Sequence, residues 1–414
     1  VIANFGEIEP LVESTVDIWI GAIAVILLMM QLPAIAILLS RLLQGPSRYP
    51  PLEPEQATAD LFGQVSIIVP TLNEAHRIAP CLSGLTRQGY EVREMIVVDS
   101  HSQDGTVELV KATQQFDPRF RLITDGPLPP GWVGRPWALH TGFLSSSEGS
   151  EWILGIDADT QPQPDLVAAL VKTAEIKGYD LVSLAPQFIL KYPGEVWLQP
   201  ALLITLLYRF GAAGSAADGP ERVMANGQCF LCRRSLLSAL GGYTSARNSF
   251  CDDVTLARYA ASQGANVAFL DGSKLLKVRM YEGALETWKE WGRSLDLKDA
   301  CSASQKWGDL GFLLAVQGLP VIITPGLAIA AITSHASVLV LATFGFNLGL
   351  LIIRFALLWA IASSYDLNQA KLPWLFWLSP LADPLAVLRI FLSSVQTPTE
   401  WRGRTYEKKG EDNH

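Results

Sequence analysis

An α/β domain with a mostly parallel sheet, flanked by N-terminal and C-terminal transmembrane helices, is the fold the sequence predicts. Three observations carry the prediction. Apolar β-branched runs alternate with stretches of helical spacing through the middle of the chain. Apolar stretches long enough to cross a bilayer lie at both ends. Acidic or amide residues recur where the central apolar runs stop, which is where ligands bind in open α/β sheets.

Residues 16–40, VDIWIGAIAVILLMMQLPAIAILLS, carry one acidic group near the start and no other charge, enough for one span. Glu7, Glu9 and Glu13 precede it without Lys or Arg, unlike a cleaved secretory signal, and Arg41 and Arg48 follow it. This asymmetry puts the N-terminus outside and the next domain in the cytoplasm. The chain then divides into an anchor (1–45), a Pro- and Glu-containing linker (46–63) and a cytoplasmic domain (64–300). VSIIVP (65–70) reads as a buried strand and RIAPCLSGLTRQ as a helix. REMIVVDSHSQDGT returns to a strand ending in a polar turn, VELVKATQQF is helical, and RFRLITD and EWILGIDAD are two further strands. Asn73, Asp99, Asp157 and Asp159 fall at the carboxyl ends of these runs.

Apolar character returns at 310–332, 336–360 and 372–394, within a C-terminal membrane region (301–396) that precedes a basic, cytoplasmic tail (397–414). Pro320 and Pro325 interrupt the first run, and Pro373, Pro380, Asp383 and Pro384 the third. Three spans would leave the basic tail outside. A third segment that is re-entrant or interfacial returns it to the cytoplasm. VWLQPALLITLLYRFGAAG (196–214) is short of a span and reads either as an interfacial helix or as a core helix.

The composition narrows the function. Hydrophobic residues make up 49% and charged ones 17%, below the roughly 25% of soluble domains, so part of the chain is solvated by lipid. The net charge of -8 argues against a nucleic-acid partner. Asn and Glu stand where a Gly-rich dinucleotide fingerprint would follow the first strand, and no Lys-Ser or Lys-Thr phosphate loop occurs. Cys229 and Cys232 form C-x-x-C without a second pair, which reads as buried thiols rather than a zinc site. The five histidines share no ligand or triad spacing.

The chemistry therefore rests on carboxylates. Asp157 and Asp159, one residue apart in LGIDADTQPQPDL, either solvate a turn or converge on a hard divalent cation, Mg2+ or Mn2+, whose shell a diphosphate and water complete. Asp99 can accept hydrogen bonds from a base or sugar. Glu74 either orients the same ligand or favours a helix start. In NSFCDDVTLARYAASQG one of Asp252 and Asp253 caps the helix and the other can serve as a general base. In ETWKEWGRSLDLKD, Trp288, Trp291 and Arg293 either line an acceptor pocket or anchor the domain at the membrane interface.

In this order the clusters resemble the membrane-integral family-2 inverting glycosyltransferases of GT-A fold, a branch that includes ceramide, hopanoid and carotenoid glycosyltransferases. The resemblance implies a nucleotide-diphosphate sugar donor, UDP- or dTDP-linked, and a hydrophobic hydroxylated lipid acceptor taken from the bilayer of a bacterial plasma membrane or a cyanobacterial thylakoid. It implies that Asp99 contacts the base, that Asp157 and Asp159 are the D-x-D pair, that Asp253 is the catalytic base and that Arg293 approaches the leaving diphosphate. Arg135, in GWVGRPWAL, stands where relatives have Lys and touches phosphate. The closing Q/R-x-x-R-W motif is altered: the window reads Glu290-Trp291-Gly292-Arg293-Ser294. The surrounding GRSLDLKDA pattern resembles the carotenoid-glycosylating members and implies the 2'-hydroxyl of a myxol-type carotenoid as acceptor. A polyprenyl phosphate or glycerolipid acceptor, a processive synthase and a nucleotide-sugar-binding scaffold without activity are the alternatives.

Overall fold

The computed structural model describes residues 8–292, 295–333, 337–396, 400–401 and 404–405. In chain order, α1 (Ile8–Leu42) leads to β1 (Val65–Thr71), α2 (Ile78–Thr86), β2 (Val92–Asp99), α3 (Thr106–Phe116), β3 (Phe120–Thr124), α4 (Gly134–Ser145), β4 (Trp152–Ile156), β5 (Thr160–Pro162) and α5 (Leu166–Lys177). Next come β6 (Leu181–Ala185), β7 (Gln187–Ile189), α6 (Pro193–Phe210), β8 (Cys229–Arg233), α7 (Arg234–Ala239), α8 (Asp252–Ser262), β9 (Val267–Asp271), β10 (Leu276–Val278) and α9 (Gly283–Glu286). The C-terminal part holds α10 (Ala303–Leu313), α11 (Leu319–Thr333), α12 (Val338–Ala360), β11 (Tyr365–Asp366) and α13 (Asp383–Val395).

Seven strands form the central sheet in the order β3-β2-β1-β4-β8-β6-β9. Every pairing is parallel except the two made by β8, so the mostly parallel sheet expected from the sequence is present. Strand β1 is almost continuously apolar because both faces are covered. Ile67 and Val69 pack with Ile78 and Leu82 of α2 and with α5, while Ile68 packs on the opposite side with Leu139 of α4 and Leu256 of α8. Cys229 and Cys232 are three residues apart on β8 and so point to opposite faces, each buried in a different core. They cannot chelate together. A second sheet, in the order β11-β7-β10-β5, was not legible as strands, being built from two- and three-residue pieces.

The linker is pinned to the domain. Tyr49 N–H donates to Gly214 O and Leu52 N–H to Asp271 O, and Leu52 and Leu61 are buried in the core.

Among the described residues, four helical stretches are long and apolar enough to cross a membrane: Ile18–Ser47, Ala303–Ile332, Val338–Ala360 and Pro373–Val395. The first three pack together. Ala24, Leu327 and Val340 meet at one level, and Gln31 and Asn347 exchange two 2.9 Å amide hydrogen bonds at another. A π-helical turn, Leu314–Gly318, joins α10 to α11. The fourth stretch is not one helix: Pro373–Ala382 is a 3-10 helix, and α13 begins at Asp383 with a proline in its first turn. Strand β11 pairs with β7, which ties the end of α12 to the domain that carries the central sheet.

Helix α6 starts and stops within two to four residues of the 196–214 expectation. Glu195 accepts the Tyr192 N–H at 2.9 Å, and Gly211 ends the helix at φ 83°. Val196, Ala201, Leu202 and Tyr208 are buried, and the helix packs on Pro373–Ala382 and α13.

Candidate active site

The carboxyl ends of β1, β4 and the loop before β8 open on a cavity of about 690 Å³. Its lining combines a polar set, Glu74, Arg77, Arg135, Asp157, Asp159, Asp252 and Asp253, with an apolar set, Phe188, Leu203, Leu206, Phe250, Trp291 and Leu295. Strand β4 ends at Ile156, and the chain turns through Asp157, Ala158 and Asp159 into β5, the Thr160 N–H donating to Asp157 O at 3.2 Å, with both acids lining the cavity.

Arg135 organises the polar set. It sits in the first turn of α4, and its Nε and Nη2 lie 3.0 and 2.9 Å from Asp157 Oδ1. Its Nη1 pairs with Asp252 Oδ2, and Nη2 donates to Gly227 O at 2.7 Å. Burial opposes the guanidinium charge, but Asp157, Asp252 and Asp253 outweigh it and hold the pKa above its ordinary value. Gly227 is required here, because a Cβ would collide with the Arg135 guanidinium.

Asp252 and Asp253 both lie in the first turn of α8, with Cys251 preceding them, so neither is the cap residue that the sequence suggested. They divide the work differently: Asp252 takes the ion pair with Arg135. Asp253 Oδ2 accepts the Gly227 N–H at 2.6 Å and Oδ1 the Val254 N–H at 2.8 Å. Burial pushes Asp252 up to about 7, against the pull of Arg135, and raises Asp253 as well. Burial and then the charge of Asp157 push Asp159 up to about 7, with Arg77 and Arg135 opposing.

That donor set suits a divalent cation. Asp157 and Asp159 face one cavity, and their mutual repulsion is the kind that a hard, oxygen-preferring ion relieves. Among the described residues no group of three or more His, Cys, Asp or Glu converges as a metal site. Non-protein oxygens must therefore complete the shell.

The other expected residues fall as follows. Glu74 lines the cavity, and its backbone N–H donates to Thr106 Oγ1 at 2.9 Å. Asp99 ends β2 beside Thr71, buried, and accepts the Ser102 N–H at 2.9 Å and the Thr71 hydroxyl at 3.3 Å. It closes a turn next to the cavity's strand ends and is not among the residues lining the cavity. Trp291 belongs to the apolar lining, its ring 5.7 Å from that of Phe188. Trp288 does not line the cavity: it packs in the cluster formed with the C-terminal helices, its ring 5.7 Å from the Arg389 guanidinium. Arg293 lies outside the described residues.

Sequence reasoning missed Arg77, which donates to Glu286 Oε1 at 2.8 Å and to Met280 O at 3.1 Å and so holds the loop before α9 against the cavity. Its only signal was position, three residues after Glu74. Leu203 and Leu206 of α6 were missed as cavity wall because a membrane-facing helix and a pocket-lining helix have the same composition.

Residues 66–241 match the family described as Glycosyl transferase family 2. A 4,4'-diaponeurosporenoate glycosyltransferase from Staphylococcus aureus is 26% identical over 234 residues, which is 56% of this chain and 60% of that one. The glycosyltransferase AglE of Haloferax volcanii is 31% identical over 120 residues, 28% of this chain and 38% of that one. The chain thus spans well under two thirds of either relative. A mannosyltransferase from Pyrobaculum calidifontis, solved with GDP-Man and Mn2+, aligns over 91% of this chain and 98% of its own at 19% identity and a TM-score of 0.47. The mainly parallel sheet with acids at its strand ends, together with the match of residues 66–241 to that family, gives a GT-A α/β fold flanked on both sides by helices long enough to span a membrane.

Proposed function

We propose that the protein transfers a sugar from a nucleotide-diphosphate donor to a hydroxyl group of a membrane lipid, inverting the anomeric carbon. One observation carries the reading: the carboxylates of Asp157, Asp159 and Asp253 share a cavity with Leu203 and Leu206 of α6, a helix that packs on the C-terminal apolar segments.

In this reading the donor base lies near Asp99, Glu74 orients the donor and Arg293 neutralises phosphate charge, while Arg135, which the sequence resemblance set beside phosphate, holds Asp157 and Asp252 in place. Asp253 accepts the proton of the acceptor hydroxyl. Its raised pKa makes it a stronger base than an exposed aspartate, and the Gly227 N–H fixes the carboxylate orientation. The acceptor oxygen bonds to the anomeric carbon as the bond from that carbon to the diphosphate oxygen breaks. Asp157 and Asp159 would hold Mg2+ or Mn2+, which when bound neutralises charge on the leaving nucleoside diphosphate.

A neutral hydroxyl fits the cavity better than a polyprenyl phosphate. The two arginines among its described lining residues, Arg77 and Arg135, are already paired with Glu286, Asp157 and Asp252. Glycerolipids and hydroxylated carotenoids both meet this requirement; the 2'-hydroxyl of a myxol-type carotenoid is the narrower form of the reading. The Arg41 and Arg48 that follow α1 favour a cytoplasmic catalytic domain.

The test is incubation of the purified full chain with a panel of nucleotide sugars and extracted membrane lipids, followed by mass analysis of the lipids. A hexose or deoxyhexose increment on a neutral lipid, lost in Asp253→Asn, supports the proposal. An increment on a polyprenyl phosphate alone, or normal turnover by Asp253→Asn, overturns it.

A further inference from the structure

Residues 372–395 have the composition of a span but both ends at the catalytic domain. On entry, Tyr365–Asp366 pairs with β7, the Lys371 N–H donates to Lys191 O at 2.9 Å, and Trp197 Nε1–H donates to Leu378 O at 3.0 Å. On exit, the Ser393 hydroxyl donates to Asp296 Oδ1 at 2.7 Å, and Lys298 Nζ donates to Ser393 O at 3.0 Å and to Gln396 O. Asp296 and Lys298 belong to the catalytic side, where their neighbour Leu297 packs against Val254 of α8. A crossing helix would separate its ends by about 30 Å of hydrocarbon. The 13 residues of α13 reach only about 20 Å.

The segment has two unlike faces. Phe376, Ser379, Asp383 and Ile390 are buried. Asp383 accepts from Arg354 Nε at 2.7 Å and Nη2 at 3.0 Å, and from Gln317 Nε2 at 3.1 Å, which fastens that face to α12 and to the turn between α10 and α11. The opposite face exposes Trp374, Leu378, Leu381, Leu385, Leu388 and Val395, at steps of three, four and seven residues. No charged residue interrupts this stripe, and it continues into the membrane bundle, the rings of Phe391 and Trp307 of α10 lying 6.3 Å apart.

We propose that residues 372–395 are a lipid-docking element lying in the plane of the bilayer surface on the catalytic domain's side, so that the chain crosses the membrane with α1, α10–α11 and α12 alone. The occupant of the apolar stripe is the boundary between lipid headgroups and acyl chains. An uninterrupted apolar stripe with tryptophans near one end, beside three packed membrane-length helices, matches that boundary. Because α6 rests on this element, the cavity wall formed by Leu203 and Leu206 is held at the level of the lipids.

Single-cysteine reporters in the full chain test it, in right-side-out and inverted membrane vesicles, with a membrane-impermeant maleimide and Cys301→Ser as background. Lys371→Cys and Gln396→Cys are exposed positions and should label from the same side as Glu148→Cys in the catalytic domain, while Val338→Cys labels from the other side. Labelling of positions 371 and 396 from opposite sides, or of 338 and 148 from the same side, overturns the proposal. A spin label at Leu385→Cys should report a depth within about 10 Å of the headgroups, and a position at the bilayer centre overturns it.

Discussion

Arg135 reaches one oxygen of Asp157 with two of its nitrogens, Nε at 3.0 Å and Nη2 at 2.9 Å, while its third nitrogen pairs with Asp252. A single planar fork thus joins the end of β4, which carries Asp157, to the start of α8, which carries Asp252 and Asp253. Removing it leaves Asp157, Asp252 and Asp253 facing one another without their common counter-charge. Arg135→Met should cost about 3 kcal/mol of stability, the scale for breaking a buried ion pair. Arg135→Lys keeps the charge but has no fork to span both acids and Gly227 O, so its stability should fall between the two. Thermal unfolding of the three proteins in one detergent checks the order. An Arg135→Met variant as stable as the parent would show that the acids are compensated elsewhere.

The D-x-D pair makes a prediction that does not depend on turnover. If Asp157 and Asp159 hold a divalent ion beneath a nucleotide diphosphate, MnCl2 with UDP or GDP should stabilise the protein by binding only the folded state. At a hundred times the dissociation constant the gain is about 2.7 kcal/mol, a rise of a few degrees in midpoint. Chelator should remove the rise, and Asp159→Asn should not show it. A shift of equal size in Asp159→Asn would place the nucleotide without that carboxylate.

The donor end of this site was legible because a parallel strand covered on both faces is an unbroken apolar run, and a carboxylate at its end stands out. Asp157 and Asp159, which line the cavity, stand out that way, and so does Asp99, which does not line it. Asp252 was not separated from Asp253 as the partner of Arg135, because the pair lies 117 positions apart in the chain and adjacent acids in a helix's first turn look alike. Trp288 and Trp291 look equivalent as a three-residue pair on an α-helix. They sit instead in a π-helical turn, Thr287–Trp291, whose smaller angular step per residue turns one into the cavity and the other toward the membrane cluster. The stretch 372–394 carried its prolines and Asp383 openly, but its direction is set by Lys191 and Lys298, contacts that no local pattern encodes.

The apolar wall of the cavity predicts an effect on the acceptor alone. Leu206 faces the cavity from α6 and is only partly buried, so Leu206→Trp adds bulk where a lipid chain would lie and leaves the acids untouched. The acceptor KM should rise about tenfold, the equivalent of about 1.4 kcal/mol, while the donor KM stays within a factor of two, as roughly expected when only acceptor contacts change. Initial rates against each substrate in mixed micelles separate the two. Equal rises in both would mean that the variant disturbs the fold around α6.

Arg354 and Asp383 are buried together where α12 meets α13, with side-chain exposures of 3% and 1%. Charges there persist only as a pair, since either alone would sit in an apolar cluster without a counter-ion. Asp383→Leu should therefore destabilise strongly, by about 3 kcal/mol or more, through the stranded guanidinium. Arg354→Met combined with Asp383→Leu removes both charges and should recover most of that loss, because apolar packing replaces a pair whose attraction was largely offset by desolvation. Half-inactivation temperatures in native membranes would distinguish the cases. If the double variant is as unstable as Asp383→Leu alone, the carboxylate matters through Gln317 and Ser379, which bond to the pair, rather than through the charge it balances.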